Sequence, residues 1–297
     1  MTALKEIYRS RFIRVILQVI FSFVLAFSLL MLIRTLLGVE NPFFVVSSGS
    51  MYPTLNIGDF IVIQRATPAQ LKIGDIVVFM DPHARLKAPI VHRIVNIFVD
   101  ESGNYKIATV GDAVSVGLDQ FSPWDASLLI GRVIMRIPYI GNLYLPLLLK
   151  ESIARKEIII IISIIIILIA LMLLSGDEEK KDAQKKVLWS GARIIYILVI
   201  NLLLLYLLFF SLWGWGIYSL GMLEEYRLNA EKYGSKNVFL TIGFMTYRID
   251  CLVYGSIRQG ALTFSWSQFL LLIIILFNVT EILIPYIRFR LNRRVSS

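Results

Sequence analysis

The chain has 297 residues, of which 57% are hydrophobic and only 17% are charged. Both fractions depart from those of ordinary soluble proteins, and the mean hydropathy of +0.72 agrees with them. A net charge of +9 would suit nucleic-acid binding if the basic residues formed one face, but here they flank apolar runs. The composition therefore predicts an integral membrane protein that has the lipid bilayer as a partner and binds no nucleic acid.

Cysteine and histidine are scarce in this chain. The single cysteine, Cys251, cannot form a disulfide within the chain, so the redox compartment stays open. The two histidines, His83 and His92, stand in no cluster with the spacing of metal ligands. We therefore expect no metal site.

The first 38 residues predict a cytoplasmic N-terminus followed by a transmembrane anchor. A basic segment leads into an almost wholly apolar run from Phe12 to about Leu37. A helix of that length crosses about 30 Å of hydrocarbon. A cleaved signal peptide is the alternative, but the run is too long for its hydrophobic region and lacks a small-residue cleavage site. We expect an anchor that is retained.

Residues 39–150 predict an extracytoplasmic, antiparallel all-β domain. Short runs rich in β-branched and aromatic residues alternate there with turn residues such as Asp81-Pro82 and Ser122-Pro123. The predicted strands are Phe43–Val46, Asp59–Gln64, Asp75–Met80, Ile90–Val99, Tyr105–Val110 and Leu128–Ile137.

Three further membrane helices are predicted after this domain, which makes about four in all. Residues 151–175 contain the second helix, and residues 176–193 form a basic cytoplasmic loop. Residues 194–297 contain the third and fourth helices, an outer loop at 216–265 and a basic tail. The apolar runs are Ile158–Leu174, Ile194–Trp213 and Phe269–Ile287.

The basic segments predict the orientation. With four spans, the N-terminus, the loop 177–186 and the tail fall on one side, and each is rich in Lys or Arg. Because such segments stay in the cytoplasm, we expect a multi-pass protein of the cell membrane with both termini cytoplasmic. The outer loop contains a helical stretch at 222–233 and a strand-like stretch at 237–254, for which we expect a packing or partner-contact role.

Three polar residues fall inside the predicted third and fourth spans: Asn201, Asn278 and Glu281. Polar groups are costly in lipid, so we expect these side chains to face other helices. A transport role is the alternative for Glu281.

The β-rich domain contains the residue types of nucleophilic catalysis. Several hydroxyls stand in the stretch 47–54, and a serine needs a base that is held by an orienting group. His92 lies within a predicted strand that would hold its ring rigidly, whereas His83 lies in a polar loop. Asp112 and Asp119 are candidate orienters, although lone Gly-Asp pairs are usually turn residues. From the residues alone, a satisfied core histidine remains the alternative for His92.

Four motifs in order decide between these interpretations. Ser48–Leu55 resembles the Ser-x-Ser-Met-x-Pro-Thr-Leu motif of type I signal peptidases. Gly74–Phe79, Val91–Val95 and Thr109–Asp112 are similar to the family's later motifs and follow in the family's order. The similarity covers about residues 12–175 and implies an extracytoplasmic β-rich peptidase domain.

The base distinguishes the branches of this family. The common bacterial branch has a lysine before the arginine of the third motif, whereas this chain has His92-Arg93. The chain therefore resembles the archaeal and endoplasmic-reticulum type. Lys87 is the rival base, but it comes several residues too early.

The fourth motif departs from the family pattern. It reads Gly111-Asp112-Ala113-Val114, and the second aspartate is Asp119, one residue later than usual. The resemblance implies that Ser50 is the nucleophile, His92 the base and Asp119 the third catalytic residue, assuming a one-residue insertion. Asp112 is the supporting or substitute acid. The Ser50 N–H and the Ser48 hydroxyl are the implied oxyanion donors.

The resemblance implies a membrane-bound serine endopeptidase that cleaves signal peptides from exported preproteins. A triad needs no cofactor, so none is expected. The implied partners are preprotein signal peptides, the lipid bilayer and the secretion translocon. The alternative is a catalytically inactive signal-peptidase-like subunit, or a membrane binding or assembly module.

Overall fold

The computed structural model describes residues 11–83, 88–113, 118–120, 122–143, 191–213, 238–253 and 256–295. The chain divides into two compact units, Met1–Glu40 with Leu143–Val187 and Asn41–Asn142 with Leu188–Ser297. Among the predictions that lie outside the described residues are the second span, the basic loop 177–186 and the helical stretch 222–233.

The described part of the first unit is dominated by one apolar helix, α1, Arg11–Leu37. Its stretch Ile16–Leu37 is long and apolar enough to cross a membrane. Trp266–Leu291, in the second unit, meets the same criterion, and Arg193–Phe209 is a shorter apolar stretch. These helices agree with three of the four predicted spans in position, and the four-span topology itself stays a prediction.

Seven strands come from the predicted β-domain. They are β1 Phe43–Val45, β2 Phe60–Gln64, β3 Ile76–Phe79, β4 Ile90–Val99, β5 Tyr105–Val110, β6 Trp124–Asp125 and β7 Leu129–Ile137. Each of the six predicted strands is present, with ends that differ by one residue at most. The short strand β6 was not predicted.

The sheet is built around β3, which pairs antiparallel with β4 on one side and β7 on the other. β5 and β6 continue it beyond β4, while β2 pairs with β7 and carries β1. A buried cluster covers one face, where the rings of Phe79 and Trp124 stack with centroids 4.1 Å apart. This packing fixes the residues of β4 that face it, because side chains alternate along a strand.

Four more strands come from the predicted outer loop. They are β8 Val238–Gly243, β9 Thr246–Val253, β10 Ser256–Arg258 and β11 Thr263–Phe264. β11 pairs in parallel with β7, with Thr263 opposite Arg136, and antiparallel with β9. The C-terminal part of the chain therefore continues the sheet of the β-domain, which the sequence pattern did not predict.

Two apolar helical segments belong to the same unit as the sheet. α2 is Gly191–Trp213; α3, Trp266–Asn278, continues through a π-helical turn, Val279–Leu283, into α4, Ile284–Val295. The side chains of Asn201 and Asn278 donate amide hydrogen bonds to each other, at 3.1 and 2.7 Å. Arg193 pairs with Glu281 at 3.1 Å. As expected, the three polar residues Asn201, Asn278 and Glu281 each contact another helical segment.

Candidate active site

Ser50 lies in a tight connection between β1 and β2. The Tyr52 N–H donates to the Gly49 carbonyl at 3.1 Å, and the Leu55 N–H donates to the Met51 carbonyl at 2.9 Å. Met51 and Leu55 are fully buried, so their side chains anchor the connection in the core. Ser50 is left half-buried beside the exposed Ser48, and their hydroxyl oxygens lie 3.3 Å apart.

His92 lies in the middle of β4 and is 6% exposed. Its Nδ1 lies 2.5 Å from Oδ2 of Asp119. A carboxylate oxygen accepts hydrogen bonds, so this contact favours the tautomer in which Nδ1 donates. In the neutral ring the lone pair is then on Nε2, which is the arrangement that a general base needs.

Gly111 lies between His92 and the Ser50 segment. A Cβ at this position would be 2.6 Å from the Ser50 carbonyl oxygen and 3.2 Å from His92 Nε2. The absence of a side chain at Gly111 therefore keeps the space between Nε2 and the Ser50 carbonyl open. No hydrogen bond joins Ser50 to His92 in the described part of the chain. Catalytic hydrogen bonds are often long without substrate.

The segment 111–113 holds both ends of this arrangement. The Gly111 N–H donates to Oδ1 of Asp119 at 3.1 Å. The Ala113 N–H donates to the Ser50 carbonyl at 2.9 Å. One short piece of backbone therefore positions the candidate nucleophile and the partner of the candidate base.

Asp112, the other predicted acid, belongs to a second buried cluster. Arg93 donates to both of its oxygens, from Nε at 2.8 Å and Nη2 at 2.6 Å, and the Thr54 hydroxyl donates at 2.5 Å. Burial alone would raise the pKa of Asp112, but the Arg93 charge and hydrogen bonds hold it below its usual value, helped by the Arg258 charge and Thr54. Asp112 therefore contacts the structure beneath Ser50, while Asp119 contacts the imidazole.

A second buried ion pair supports the same connection from the other side. Arg136 Nε lies 2.5 Å from Asp59 Oδ2, and Arg136 Nη1 donates to the Thr54 carbonyl at 3.1 Å. Burial raises the pKa of Asp59 despite the opposing charge of Arg136. Thr54 is thus held at its hydroxyl and at its carbonyl. Neither arginine pair was predicted from the sequence, although an arginine within an apolar strand is a signal of a buried partner.

The remaining candidates are less central. His83 is exposed, as predicted for a residue of the polar loop. Lys87, the rival base, lies outside the described residues, as do residues 114–117 of the fourth motif. Ser50, His92 and Asp119 are thus grouped around Gly111 in an arrangement that can accept and return a proton next to a hydroxyl nucleophile.

Comparisons with known proteins agree with the motifs. Residues 16–101 match the family described as signal peptidase, peptidase S26. The human signal peptidase complex catalytic subunit SEC11C is 33% identical over 111 residues, 36% of this chain and 57% of that protein. The signal peptidase complex catalytic subunit sec11 of Dictyostelium discoideum is 37% identical over 109 residues, 35% of this chain and 59% of that protein.

These matches cover only part of each protein. The chain spans less than two thirds of the length of either relative. The family match ends at residue 101, before both candidate aspartates and before the C-terminal strands. The contacts of those later residues therefore come from this chain's own structure.

Proposed function

We propose that the chain is a membrane-bound serine endopeptidase. The premise is that it is a type I signal peptidase of the archaeal and endoplasmic-reticulum branch of peptidase S26. Its substrates are exported preproteins, from which it removes the N-terminal signal peptide. The family resemblance inferred from the four motifs is confirmed by the comparisons. The catalytic mechanism and the role of each residue belong to the proposal.

The hydrogen bond between His92 and Asp119 carries the mechanistic part of this proposal. It supports the tautomer in which Nε2 is free to take a proton, on the side that faces Ser50. In the proposed reaction His92 removes the hydroxyl proton as Ser50 Oγ attacks the scissile carbonyl, and then gives that proton to the leaving amine. Asp119 stabilises the imidazolium between these steps. Water then releases the acyl group from Ser50 by the same route.

The negative charge of the tetrahedral intermediate needs donors beside Ser50. The proposed donors are the Ser50 N–H and the Ser48 hydroxyl, whose oxygen lies 3.3 Å from the nucleophile oxygen. One donor in such a site contributes about 3 kcal/mol to transition-state stabilisation.

The strand β1 supports a mode of substrate binding. In the described part of the chain it pairs only with β2, and it leads directly into the Ser50 connection. An extended peptide can add to the remaining edge through main-chain hydrogen bonds, while small pockets select small side chains near the cleaved bond.

The membrane arrangement is also proposed. Two helices of membrane length support attachment to the bilayer. We infer the four-span topology from the basic segments, with the catalytic domain extracytoplasmic and both termini cytoplasmic. Since the relatives are named as subunits of a signal peptidase complex, this chain is proposed to act in an assembly, and with the secretion translocon.

Cleavage of a preprotein by the purified full chain in detergent tests the proposal. We expect Ser50→Ala and His92→Ala to lower kcat by about 10⁴-fold or more, because each removes a group that acts on the reacting atoms. Ser102→Ala, at an exposed loop position, is the matched control and should cleave like wild type. Full activity of either site variant would overturn the mechanism.

A non-enzymatic signal-peptidase-like subunit, or a membrane assembly module, is the second candidate function. It is favoured by the departure in the fourth motif and by the absence of a hydrogen bond between Ser50 and His92 in the described structure. It predicts no cleavage by the wild type and unchanged cell growth with Ser50→Ala.

A further inference from the structure

The C-terminal strands bring two groups to the buried pair of Arg93 and Asp112. Arg93 Nη1 donates to the Gln259 carbonyl at 2.6 Å, as well as to the Gly74 carbonyl at 2.8 Å. Arg258 Nη1 lies 3.7 Å from Asp112 Oδ1. One carboxylate thus faces two guanidinium groups, and the second comes from a region that the family match does not reach.

The segment that carries these groups is itself held firmly against the sheet. Asp250, a buried residue of β9, accepts a hydrogen bond from the Gly260 N–H at 2.8 Å. A Cβ at Gly260 would be 2.2 Å from the Ile249 carbonyl oxygen, so the segment follows β9 at backbone contact distance. The Leu262 carbonyl accepts from the Arg136 N–H at 2.7 Å. These contacts therefore fix the backbone that places Arg258 and Gln259 beside Arg93 and Asp112.

Asp112 connects this support to the candidate site. Its two chain neighbours hold Asp119 and the Ser50 carbonyl through their backbone N–H groups. Its own carboxylate accepts from the Thr54 hydroxyl, four residues after Ser50. A shift of Asp112 would therefore move the nucleophile connection and the partner of the base relative to each other.

We propose that Arg258 is a positioning residue for the peptidase reaction, acting with the Gln259 carbonyl to hold Arg93 and Asp112 in place behind Ser50 and Asp119. The inference rests on the proposed function and deepens it. The strands β8–β11 are then part of the peptidase, rather than a separate packing or partner-contact element. Arg258 does not touch the reacting atoms; it acts through Asp112.

The test compares three variants of the full chain in detergent with the wild type. Arg258→Gln removes the charge, Arg258→Lys keeps it, and Arg65→Ala removes an arginine from an exposed position of the same unit. Initial rates of preprotein cleavage give kcat and KM separately. Hydrogen exchange of the backbone amides of Gly111 and Ala113 reports the geometry without requiring activity.

We expect Arg258→Gln to lower kcat about tenfold, because catalysis is sensitive to small misplacements of the reacting groups. KM should change by less than about twofold, since the groups that bind the substrate are untouched. The Gly111 and Ala113 amides should exchange faster in this variant. Arg258→Lys should recover most of the loss, and Arg65→Ala should match the wild type.

Wild-type kcat and exchange in Arg258→Gln would overturn the proposal. An equal loss in Arg258→Lys would also overturn it, because the charge would then not be what holds Asp112. If the wild type does not cleave at all, the proposed function fails, and the exchange measurement still decides. Faster hydrogen exchange in Arg258→Gln, but not in the other two variants, would support the positioning role. Unchanged exchange in Arg258→Gln would overturn it.

Discussion

His92 and Arg93 are neighbours on β4, and each holds a different aspartate. Successive side chains of a strand lie on opposite faces, so the His92 and Arg93 side chains point to opposite sides of β4. Asp119 accepts from the imidazole, with its other oxygen on a backbone N–H. Asp112 is enclosed by Arg93, Thr54 and Arg258.

The difference between these clusters lies in what their protons can do. A neutral imidazole can accept a proton at one ring nitrogen and give it up again, so the His92 cluster can take part in proton transfer. A guanidinium keeps its proton at all accessible pH values, so the Arg93 cluster can only fix positions. On the same strand, His92 can therefore take part in proton transfer, while Arg93 on the opposite face can only hold its partners in position. Replacing Asp119 by asparagine should therefore have a different effect from replacing Asp112 by asparagine.

The largest effect is expected for Asp119→Asn. An amide at this position can donate to Nδ1 and so favour the wrong tautomer, which should lower kcat by about 10⁴-fold. The apparent Tm should stay close to that of the wild type, because the buried pair of Arg93 and Asp112 stays intact. Preprotein cleavage and thermal unfolding in detergent measure the two quantities. A variant within tenfold of wild-type kcat would remove Asp119 from the mechanism.

Asp112→Asn should show the opposite balance. It leaves Arg93 buried without its counter-charge, and breaking such a pair costs about 3 kcal/mol of stability. The apparent Tm should fall well below that of Asp119→Asn, the matched control at the other aspartate. Cleavage assayed below the Tm should exceed that of Asp119→Asn. An Asp112→Asn protein with wild-type Tm would contradict a supporting role for this pair.

The sequence predicted the local parts of this arrangement and missed the distant ones. The strands of the β-domain were predictable because runs of β-branched and aromatic residues alternate with turns over short distances. The choice of Asp119 over Asp112 followed from the family motifs, and the His92–Asp119 hydrogen bond agrees with it; the catalytic role stays a prediction.

The C-terminal strands were harder to predict. Residues 237–254 were predicted to be strand-like, but the pairing of β11 with β7 joins segments more than a hundred residues apart. No local pattern encodes such a pairing. The same holds for Arg93, whose partners Asp112 and Gln259 are 19 and 166 residues away. The cluster around Arg93 could therefore be identified only from the fold.

A smaller effect should distinguish the two buried carboxylates as the pH falls. Asp112 has a lowered pKa, because the two arginines outweigh its burial, whereas burial raises the pKa of Asp59. A lowered folded-state pKa contributes stability above the unfolded value of 3.8, and that contribution disappears as the pH falls through the folded value. A raised pKa has the opposite sign: acidification through the folded value removes a penalty before the pH reaches 3.8.

The Tm of the wild type, Asp112→Asn and Asp59→Asn should therefore be measured from about pH 6 to about pH 3. The stability advantage of the wild type over Asp112→Asn should shrink at the acid end, as the carboxylate that pairs with Arg93 becomes protonated. Relative to Asp59→Asn, the wild type should instead gain stability, and at a higher pH, because the raised pKa titrates first. If both differences changed in the same direction, the two arginine pairs would be equivalent. The second charge from Arg258 would then not be what separates Asp112 from Asp59.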